Sequence, residues 1–288
     1  MARDNARIKI CEWNIHHQGG CSSETTPGWV VAELKDQDIV VLTEFPTDVA
    51  AGSAAARVNA KADVSSQSRK LVFGELQKAG FACFPSNNQD GNDVLIAIKE
   101  SLITESKPEF HCCNPYCNED QLIPENAIVE LKIGDRDLVV VGVRIRTLEH
   151  FKARKAQFES LVDELKKLSD RPVLIAGDWN HGKVGSADKH WSLELMERRL
   201  GELNYSVSPK KGSSIFQENG YCDFPDDHFI VNQAMLCLEE VKYDRGFAER
   251  HSSIYKWGRN FCNWPSDESV RPPYPDHAML KATLAFAN

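Results

Sequence analysis

Long apolar runs are missing from this sequence of 288 residues. The longest, residues 38–42 and 138–143, have the length of a β-strand, far short of the roughly 20 apolar residues that cross a membrane. The first five residues also have no apolar core behind them of the kind found in a signal peptide. These absences predict a cytoplasmic protein without a membrane span.

Basic residues are fewer than acidic ones. The chain has 34 Lys and Arg against 42 Asp and Glu, which gives a formal net charge of -8. A protein with this balance does not bind nucleic acid through a positive surface all around it, although a local basic groove stays possible. A metal site built from acidic side chains would itself add to the negative excess.

The sequence also lacks internal repeats, an obvious linker and a paired set of cysteines. Its nine cysteines are an odd number and are scattered through predicted strands and loops, so we expect mostly reduced thiols. No segment recurs at the period of a repeat protein. We therefore expect one domain that spans residues 1–288.

What the sequence does contain is a series of short apolar runs that end in polar residues. The central one is residues 173–180, where four apolar residues predict a buried strand and Gly177 lets the backbone turn. Asp178 and Asn180 follow, so a carboxylate to polarise water and an amide to hold an oxyanion face one pocket. The alternative is an ordinary Asp-Trp-Asn turn that caps the next segment.

Similar strand ends recur along the chain. Residues 7–14 alternate as a strand does and end at Asn14, and residues 38–44 end at Glu44. Other predicted strands are residues 92–99, a hairpin of 127–133 and 137–143 around Gly134 and Asp135, 227–231, and 278–286. Helices are expected after residue 26, at 68–79, at 147–169 as the longest, and near 190–200.

One loop carries a second type of candidate ligand. Residues 111–120 predict an irregular loop that contains His111, Cys112, Cys113 and Cys117. These side chains are potential zinc ligands, but a structural zinc site usually has two spaced ligand pairs, and only one cluster is present. Zinc binding by this loop therefore stays an open alternative.

The polar residues at strand ends form a set that is more specific than its members. Each residue alone is explained by a turn or a solvated acid. The ordered set is not explained in that way: it runs from an amide and a carboxylate through an acid-x-amide pair to an acid before a strand and a final Asp-His. With them, the sequence resembles the endonuclease/exonuclease/phosphatase superfamily, the deoxyribonuclease I-like phosphoesterases. The Cys11–Ile15 segment is closest to the apurinic endonuclease branch. The residues are Asn14, Glu44, Asp178, Asn180, Asp227, Asp276 and His277.

The resemblance implies an α+β fold, a four-layer α/β/β/α sandwich of two packed mixed β-sheets with outer helices and a site at one edge. It implies that Glu44 and Asp276 bind Mg2+ or Mn2+, in a number that stays open. Asp178 would orient or deprotonate the attacking water, while Asn14 orders the neighbouring groups and Asn180 contacts the phosphoryl group. Asp227 would fix the catalytic histidine, His277. Each of these residues stands at the position that matches the family's motif.

This sequence departs from the family's pattern at three places. Arg144 stands where the family often has His or Tyr, and its guanidinium is suited to gripping a phosphate. His16 replaces an acid of the apurinic branch, which leaves a second metal undecided. Pro275, rather than Ser, precedes Asp276 and His277.

The leading hypothesis is a metal-dependent phosphodiesterase that cuts nucleic acid by direct attack of water. A phosphoesterase of the same fold that acts on a lipid or inositol phosphate or a nucleotide signal is the alternative, and a non-catalytic binding module is the third. The sequence leaves open whether the substrate is DNA or RNA, whether cleavage is internal or from an end, and what the oligomeric state is. Candidate phosphate-binding residues are Arg144, Arg146, Lys183, Lys210 and Lys211.

Overall fold

The computed structural model describes residues 7–15, 28–45, 59–86, 93–104, 108–113, 124–146, 151–181, 191–214, 225–250 and 277–287. Within these residues the chain forms two β-sheets and several helices. The strands are β1 (Ile8–Asn14), β2 (Ile39–Phe45), β3 (Phe81–Pro85), β4 (Asp93–Lys99), β5 (Glu109–Cys113), β6 (Glu125–Ile133), β7 (Arg136–Arg144), β8 (Val173–Asp178), β9 (Tyr205–Ser208), β10 (Asp227–Asn232), β11 (Met235–Cys237), β12 (Lys242–Asp244) and β13 (Met279–Phe286). The helices are α1 (Gly28–Ala32), α2 (Asn59–Lys78), α3 (Phe151–Lys166), α4 (Leu193–Gly201) and α5 (Gly246–Arg250).

Both sheets are mixed, and each has one parallel pair at its centre. The first sheet has the order β11-β13-β1-β2-β4-β3, with β12 also paired to β13, and only β1 and β2 are parallel among its described strands. The second has the order β5-β6-β7-β8-β10-β9, and here β7 and β8 are the parallel pair. A parallel pair places two carboxyl ends at the same edge of a sheet.

The two sheets pack face to face around an apolar core. Alternation along the strands sends one set of side chains inward, such as Ile10, Val41 and Leu174. The opposite set, such as Trp13 and Leu42 on the first sheet, packs under α1 and α2. On the second sheet, the outer set packs under α3 and α4. This confirms the predicted four-layer sandwich.

Most predicted elements are present, with some corrections. The helix expected at 68–79 is α2, which begins at Asn59 and, among the described residues, is longer than α3 (20 against 16 residues). The helix expected at 147–169 is α3, which ends at Lys166. Apolar periodicity marks only the later part of α2, because residues 59–66 include few large apolar side chains. Residues 147–150 lie outside the described residues.

The predicted loop at residues 111–120 begins as a strand. His111, Cys112 and Cys113 belong to β5, the edge strand that pairs with β6, and Cys117 lies outside the described residues. A strand sends neighbouring side chains to opposite faces, so His111 and Cys112 do not converge. In the described part of the chain, no three His, Cys, Asp or Glu side chains form a group that could hold a metal ion. No described helix is long and apolar enough to cross a membrane.

Candidate active site

The predicted site residues that the structure describes meet at one edge of the sandwich. Asn14 ends β1 and Glu44 lies near the end of β2, its parallel neighbour. In the second sheet, Arg144 and Asp178 end the parallel strands β7 and β8 and are paired with each other. The remaining two residues enter this edge on antiparallel strands, because Asp227 begins β10 opposite Asp178 and His277 precedes β13. Asp276, Lys183 and His16 lie outside the described residues.

Gly177 allows β8 to deliver Asp178 at this edge. A Cβ atom on Gly177 would lie 1.8 Å from the carbonyl oxygen of Val143 on β7, and its φ is +155°. Only glycine permits this approach of the two backbones. Beyond it, the amide of Ile145 donates a hydrogen bond to the Asp178 carbonyl at 2.9 Å, which keeps the two parallel strands together at the site.

Three donors hold the Asp178 carboxylate. The side-chain amides of Asn14 and Asn180 donate to Oδ2 at 3.0 Å and 2.7 Å, and the backbone N–H of Asn180 donates to Oδ1 at 3.0 Å. Burial, together with the nearby charge of Asp227, raises the pKa of Asp178 well above its usual range. A carboxyl that is fixed in this way and has a raised pKa is suited to accepting a proton from water.

Asn180 adopts a conformation that is uncommon for residues other than glycine. Its φ is +47°, in the left-handed region. This turn lets its side chain fold back, so that Nδ2 donates both to Asp178 and to the Ile145 carbonyl at 2.8 Å. Arg154 of α3 donates in turn to the Asn180 carbonyl at 2.7 Å. The amide is therefore committed to Asp178, and its predicted contact with a phosphoryl oxygen stays a prediction.

Glu44 is the second non-glycine site residue with a positive φ, at +49°. The register between β2 and β4 shifts between Leu42 and Phe45, so Glu44 sits in a bulge. Its Oε1 accepts a hydrogen bond from Nη2 of Arg144 at 2.7 Å, which joins the two sheets across the site. Strained residues of this kind cluster at functional sites.

Arg144 is largely buried beside two carboxylates rather than extended into solvent. Its Nη1 lies 3.8 Å from Oε2 of Glu125, in addition to the contact with Glu44. Burial acts to lower the pKa of Arg144, but the charges of Glu44 and Glu125 outweigh this effect and raise it, so the guanidinium stays charged. Its predicted contact with a phosphate stays a prediction.

His277 is held by Asp227 in the arrangement that the motif predicts. Nδ1 of His277 lies 2.8 Å from Oδ2 of Asp227, whose side chain is fully buried. Around this pair, the Tyr243 hydroxyl donates to the Asp227 carbonyl at 2.6 Å, and the Trp13 indole N–H donates to the His277 carbonyl at 2.8 Å. These contacts fix the orientation of the His277 ring through its Nδ1 side and through its backbone.

One acid of the site was missed in the sequence. Glu12 is fully buried on the inward-facing side of β1, two residues before Asn14, and Thr43 donates to its Oε1 at 3.3 Å. Burial, with the charges of Asp227 and Asp178, raises the pKa of Glu12 well above its usual range. The strand alternation of Ile8, Ile10, Glu12 and Asn14 was the signal, since it places a carboxyl where the core is otherwise apolar.

The composition of this edge suits a divalent cation with few protein ligands. Carboxyl groups outnumber the basic side chains among the described site residues. Two carboxylate oxygens, Oε2 of Glu12 and Oδ1 of Asp227, are buried and have no hydrogen-bond partner in the described part of the chain. Glu44, the predicted metal ligand, lies at this edge. Mg2+ keeps several waters and needs only one or two carboxylates, so the absence of a three-ligand group in the described ranges does not argue against it.

A cleft of about 920 Å³ is lined in part by Tyr243, the residue whose hydroxyl donates to the Asp227 carbonyl. One wall is the loop after β9, with Lys210 and Lys211. The other wall lies between β11 and α5 and carries Glu239 and Glu240 as well as Lys242 and Arg245, with Lys242 paired to Glu240 at 2.8 Å. Lys210 pairs with Glu197 at 3.0 Å, while Lys211 forms no ion pair with the part of the chain that the structure describes. The two predicted lysines therefore line the same cleft. Arg146, in contrast, contacts α3, where its backbone exchanges hydrogen bonds with the Gln157 side chain.

Fold and site together define a sandwich with a strand-edge pocket of acids, amides and one fixed histidine. The profile of the Endonuclease/Exonuclease/phosphatase family matches residues 11–267. The chain belongs to this family, whose members are phosphoric ester hydrolases. No curated protein sequence matches the chain.

Solved structures of the same fold align over almost the whole chain. The catalytic domain of human Nocturnin with a bound sulfate has a TM-score of 0.60 at 11% identity and aligns over 99% of this chain and 95% of its own. A Bacteroides thetaiotaomicron mannosyl-6-phosphatase has a TM-score of 0.60 at 11% identity, over 97% and 100%. TDP2 from D. rerio, in complex with a single-strand DNA product, has a TM-score of 0.55 at 11% identity, over 97% and 99%. At these identities the likeness shows the fold.

Proposed function

We propose that this protein is a metal-dependent phosphodiesterase that hydrolyses nucleic acid by direct attack of water. The observation that carries the proposal is the Asp178 carboxyl, held by Asn14 and Asn180 and paired in register with Asp227, which fixes His277. This arrangement provides a base for water on one side and an imidazole for the phosphoryl group on the other.

In the proposed reaction, Asp178 accepts a proton from water as the water oxygen bonds to phosphorus and the ester oxygen leaves. His277 presents Nε2 to a phosphoryl oxygen, because Nδ1 is engaged with Asp227. The carboxylate of Asp227 fixes the orientation of the ring and stabilises its protonated form. Asp178 ends β8 in the second sheet and His277 lies just before β13 in the first, so the packing of the two sheets sets their spacing.

Glu44, with Asp276, would hold Mg2+ or Mn2+ at this edge. A bound cation would offset the charge that develops on the phosphoryl oxygens. The excess of buried carboxyl groups over basic side chains supports such a cation. Arg144 donates a hydrogen bond to Glu44, so its guanidinium would supply a further positive charge at the edge of the sandwich where we propose that the phosphate binds.

The cleft supports a nucleic-acid substrate. A strand that continues from the reacting phosphate past Tyr243 would bring its neighbouring phosphates to Lys210, Lys211 and Arg245, whereas Lys242 already pairs with Glu240. The D. rerio TDP2 structure with a single-strand DNA product shows that a protein of this fold holds such a strand. The mannosyl-6-phosphatase of the same fold makes a phosphomonoester the alternative substrate to test.

The experiment is an assay of the purified protein on DNA, RNA, a nucleotide, inositol phosphate, phospholipid and sugar phosphate, each with Mg2+ or Mn2+. We expect cleavage of oligonucleotides, its loss in excess chelator and its recovery when metal is restored. Turnover of only a monoester or a lipid head group would replace the nuclease with the alternative phosphoesterase.

Glu44→Gln tests the metal separately. We expect it to remove most of the activity, because it removes a charged oxygen at the proposed metal site. The fold should stay intact, because the side-chain oxygen of Gln still accepts the hydrogen bond from Arg144. Glu75→Gln, an exposed acid on α2, is the matched control and should keep full activity. Full turnover of the wild type in excess chelator would overturn the metal-dependent reaction.

A further inference from the structure

Two buried histidines behind the active site form a contact that the proposed reaction does not use. Nε2 of His181 lies 2.8 Å from Nε2 of His228, and the two rings stack with centroids 5.1 Å apart. Both side chains are about 1% exposed or less. His228 follows Asp227 on β10, so it points to the opposite side of the sheet from Asp227.

The contact joins the two segments that carry the catalytic groups. His181 comes directly after Asn180, and His228 comes directly after Asp227. A backbone hydrogen bond from Trp179 to the Asp226 carbonyl, at 2.7 Å, connects the same two segments. Asp226 also approaches the pair, with its Oδ1 3.7 Å from Nδ1 of His181.

We propose that His181 and His228 are positioning residues, whose shared proton holds the Asp178–Asn180 segment in register with Asp227 and His277. This role rests on the proposed function of the site. The hydrogen bond needs one nitrogen that donates and one that accepts, so at most one of the two Nε2 atoms carries a proton. A second proton at this contact places two N–H groups against each other and breaks the link.

The surroundings of the pair favour the state with one shared proton. Burial, followed by the neighbouring ring of His181, lowers the pKa of His228 well below its usual range. Asp226 faces His181, and the carbonyls of Pro209 and Pro225 favour the protonated form of His228, although its Nδ1 makes no well-aligned hydrogen bond within the described ranges. Desolvation outweighs these groups, so His228 stays neutral near pH 7.

The sign of the pH dependence follows from the lowered pKa. An unfolded histidine takes up a proton below about pH 6.5. Because folded His228 resists that proton, its contribution to stability is complete above this pH and is lost as the pH falls below it. The contact between the two catalytic segments should therefore break on the acid side, once folded His228 takes up a proton.

The test compares His228→Leu with His228→Gln on the full-length protein, with the substrate that the assay panel identifies. The Leu variant keeps an apolar core but removes the link, and we expect kcat to fall about tenfold or more with little change in KM. The Gln variant keeps an acceptor at the same place without a titrating ring. It should restore most of kcat and move the acid limb of the pH–kcat profile to lower pH.

Val207→Ala is the matched control, because Val207 is buried on β9 outside the pair. It should lower the melting temperature but not kcat. If His228→Leu keeps the wild-type kcat once folded, or if His228→Gln leaves the pH profile unchanged, the pair has only a packing role and the proposal is overturned.

A second readout separates this proposal from the proposed function. The proton between His277 Nδ1 and Asp227 should give a downfield resonance in proton NMR. In His228→Leu we expect that resonance to shift or disappear, whether or not any substrate is cleaved. An unchanged resonance, or ring-nitrogen spectra with both Nε2 atoms protonated near neutral pH, would overturn the positioning role even in an active enzyme.

Discussion

At the scale of single residues, the proposed chemistry depends on which of the buried acids and histidines carry a proton. Asp178 and Glu12 are buried acids whose pKa values are raised by burial and by nearby carboxylates. His277 is fixed through one nitrogen by Asp227. Replacing Asp178 or His277 should therefore lower the catalytic rate. Replacing Glu12, a buried acid without a basic partner among the described residues, should change the free energy of unfolding.

Asp178→Asn and His277→Ala should each lower kcat by about a hundredfold or more, as general acid–base and electrostatic groups do. Asp227→Ala should also lower the rate, because His277 loses the group that fixes its ring. The double variant of Asp227 and His277 should be far from additive, since the two side chains act as one unit. Single-turnover kinetics would measure these effects on the chemical step. A fully active Asp227→Ala would show that His277 has another partner.

Glu12→Gln should stabilise the protein in the presence of chelator, by about 1 to 3 kcal/mol at about pH 8. The unfolded Glu12 loses its proton above about pH 4.3 while the folded one retains it, so this group makes the wild type less stable as the pH rises from there toward the raised folded pKa. Glutamine has no proton to lose, so the variant should not show this decrease in the free energy of unfolding. Urea unfolding from pH 4 to about pH 8 would measure it.

The matched variant is Glu130→Gln, a partly exposed acid on β6 that pairs with Arg171. It should give no gain that grows with pH. If Glu12→Gln is less stable than the wild type at every pH, the carboxylate is compensated in the folded protein. A divalent cation added back to the wild type would then be expected to have little effect on its stability.

At the scale of elements, strand ends were predictable and their side-chain contacts were not. Asn14, Glu44 and Asp178 were assigned from apolar runs that end in a polar residue, and Asp227 was assigned from an acid that enters an apolar run. All four runs are strands in the structure. The pairing of Glu44 with Arg144 depends on a bulge and a positive φ, which no periodicity reveals.

Other contacts of the site could not be predicted from the sequence, because they depend on short strands and on strand register. Tyr243 reaches Asp227 from β12, which has three residues, too few for a recognisable pattern. His181 and His228 are 47 residues apart, and only the register of β8 and β10 brings them together. These contacts follow from tertiary packing, so the sequence could supply the residues but not their partners.

The loop after β9 should act on substrate binding more than on chemistry. Lys210→Ala with Lys211→Ala should raise KM on an oligonucleotide more than it lowers kcat. It should also reduce the log–log slope of binding against salt by about one unit for each phosphate that the two lysines neutralise. Arg144→Ala should instead lower kcat, because Arg144 lies on Glu44 within the site.

Lys166→Ala with Lys167→Ala is the matched control, since these exposed lysines lie at the end of α3 and pair with their own helix. It should leave KM and the salt slope unchanged. Oligonucleotide binding by the wild type that does not depend on salt would contradict a role for the cleft in holding phosphates.

At the scale of the whole molecule, the two sheets each contribute half of the site. The first supplies Asn14 and Glu44, the second supplies Arg144 and Asp178, and the ion pair of Glu44 with Arg144 crosses between them. The resemblance of the strand-end motif predicted this architecture. The motif could not predict how deeply Arg144 is buried, because burial depends on the packing of the opposite sheet.

The parallel pairs also separate the edge of the sandwich that carries the site from the opposite edge, where the β6–β7 turn lies. β7 rises about 30 Å from the exposed turn at Gly134 and Asp135 to Arg144. A fluorescent protein or an affinity tag inserted in that turn would therefore sit far from the reacting groups. We expect such a fusion to keep the kcat and KM of the parent in a steady-state assay, whereas the same insertion after Ser213 should abolish cleavage. The hairpin thus offers an attachment point for imaging or immobilising the enzyme.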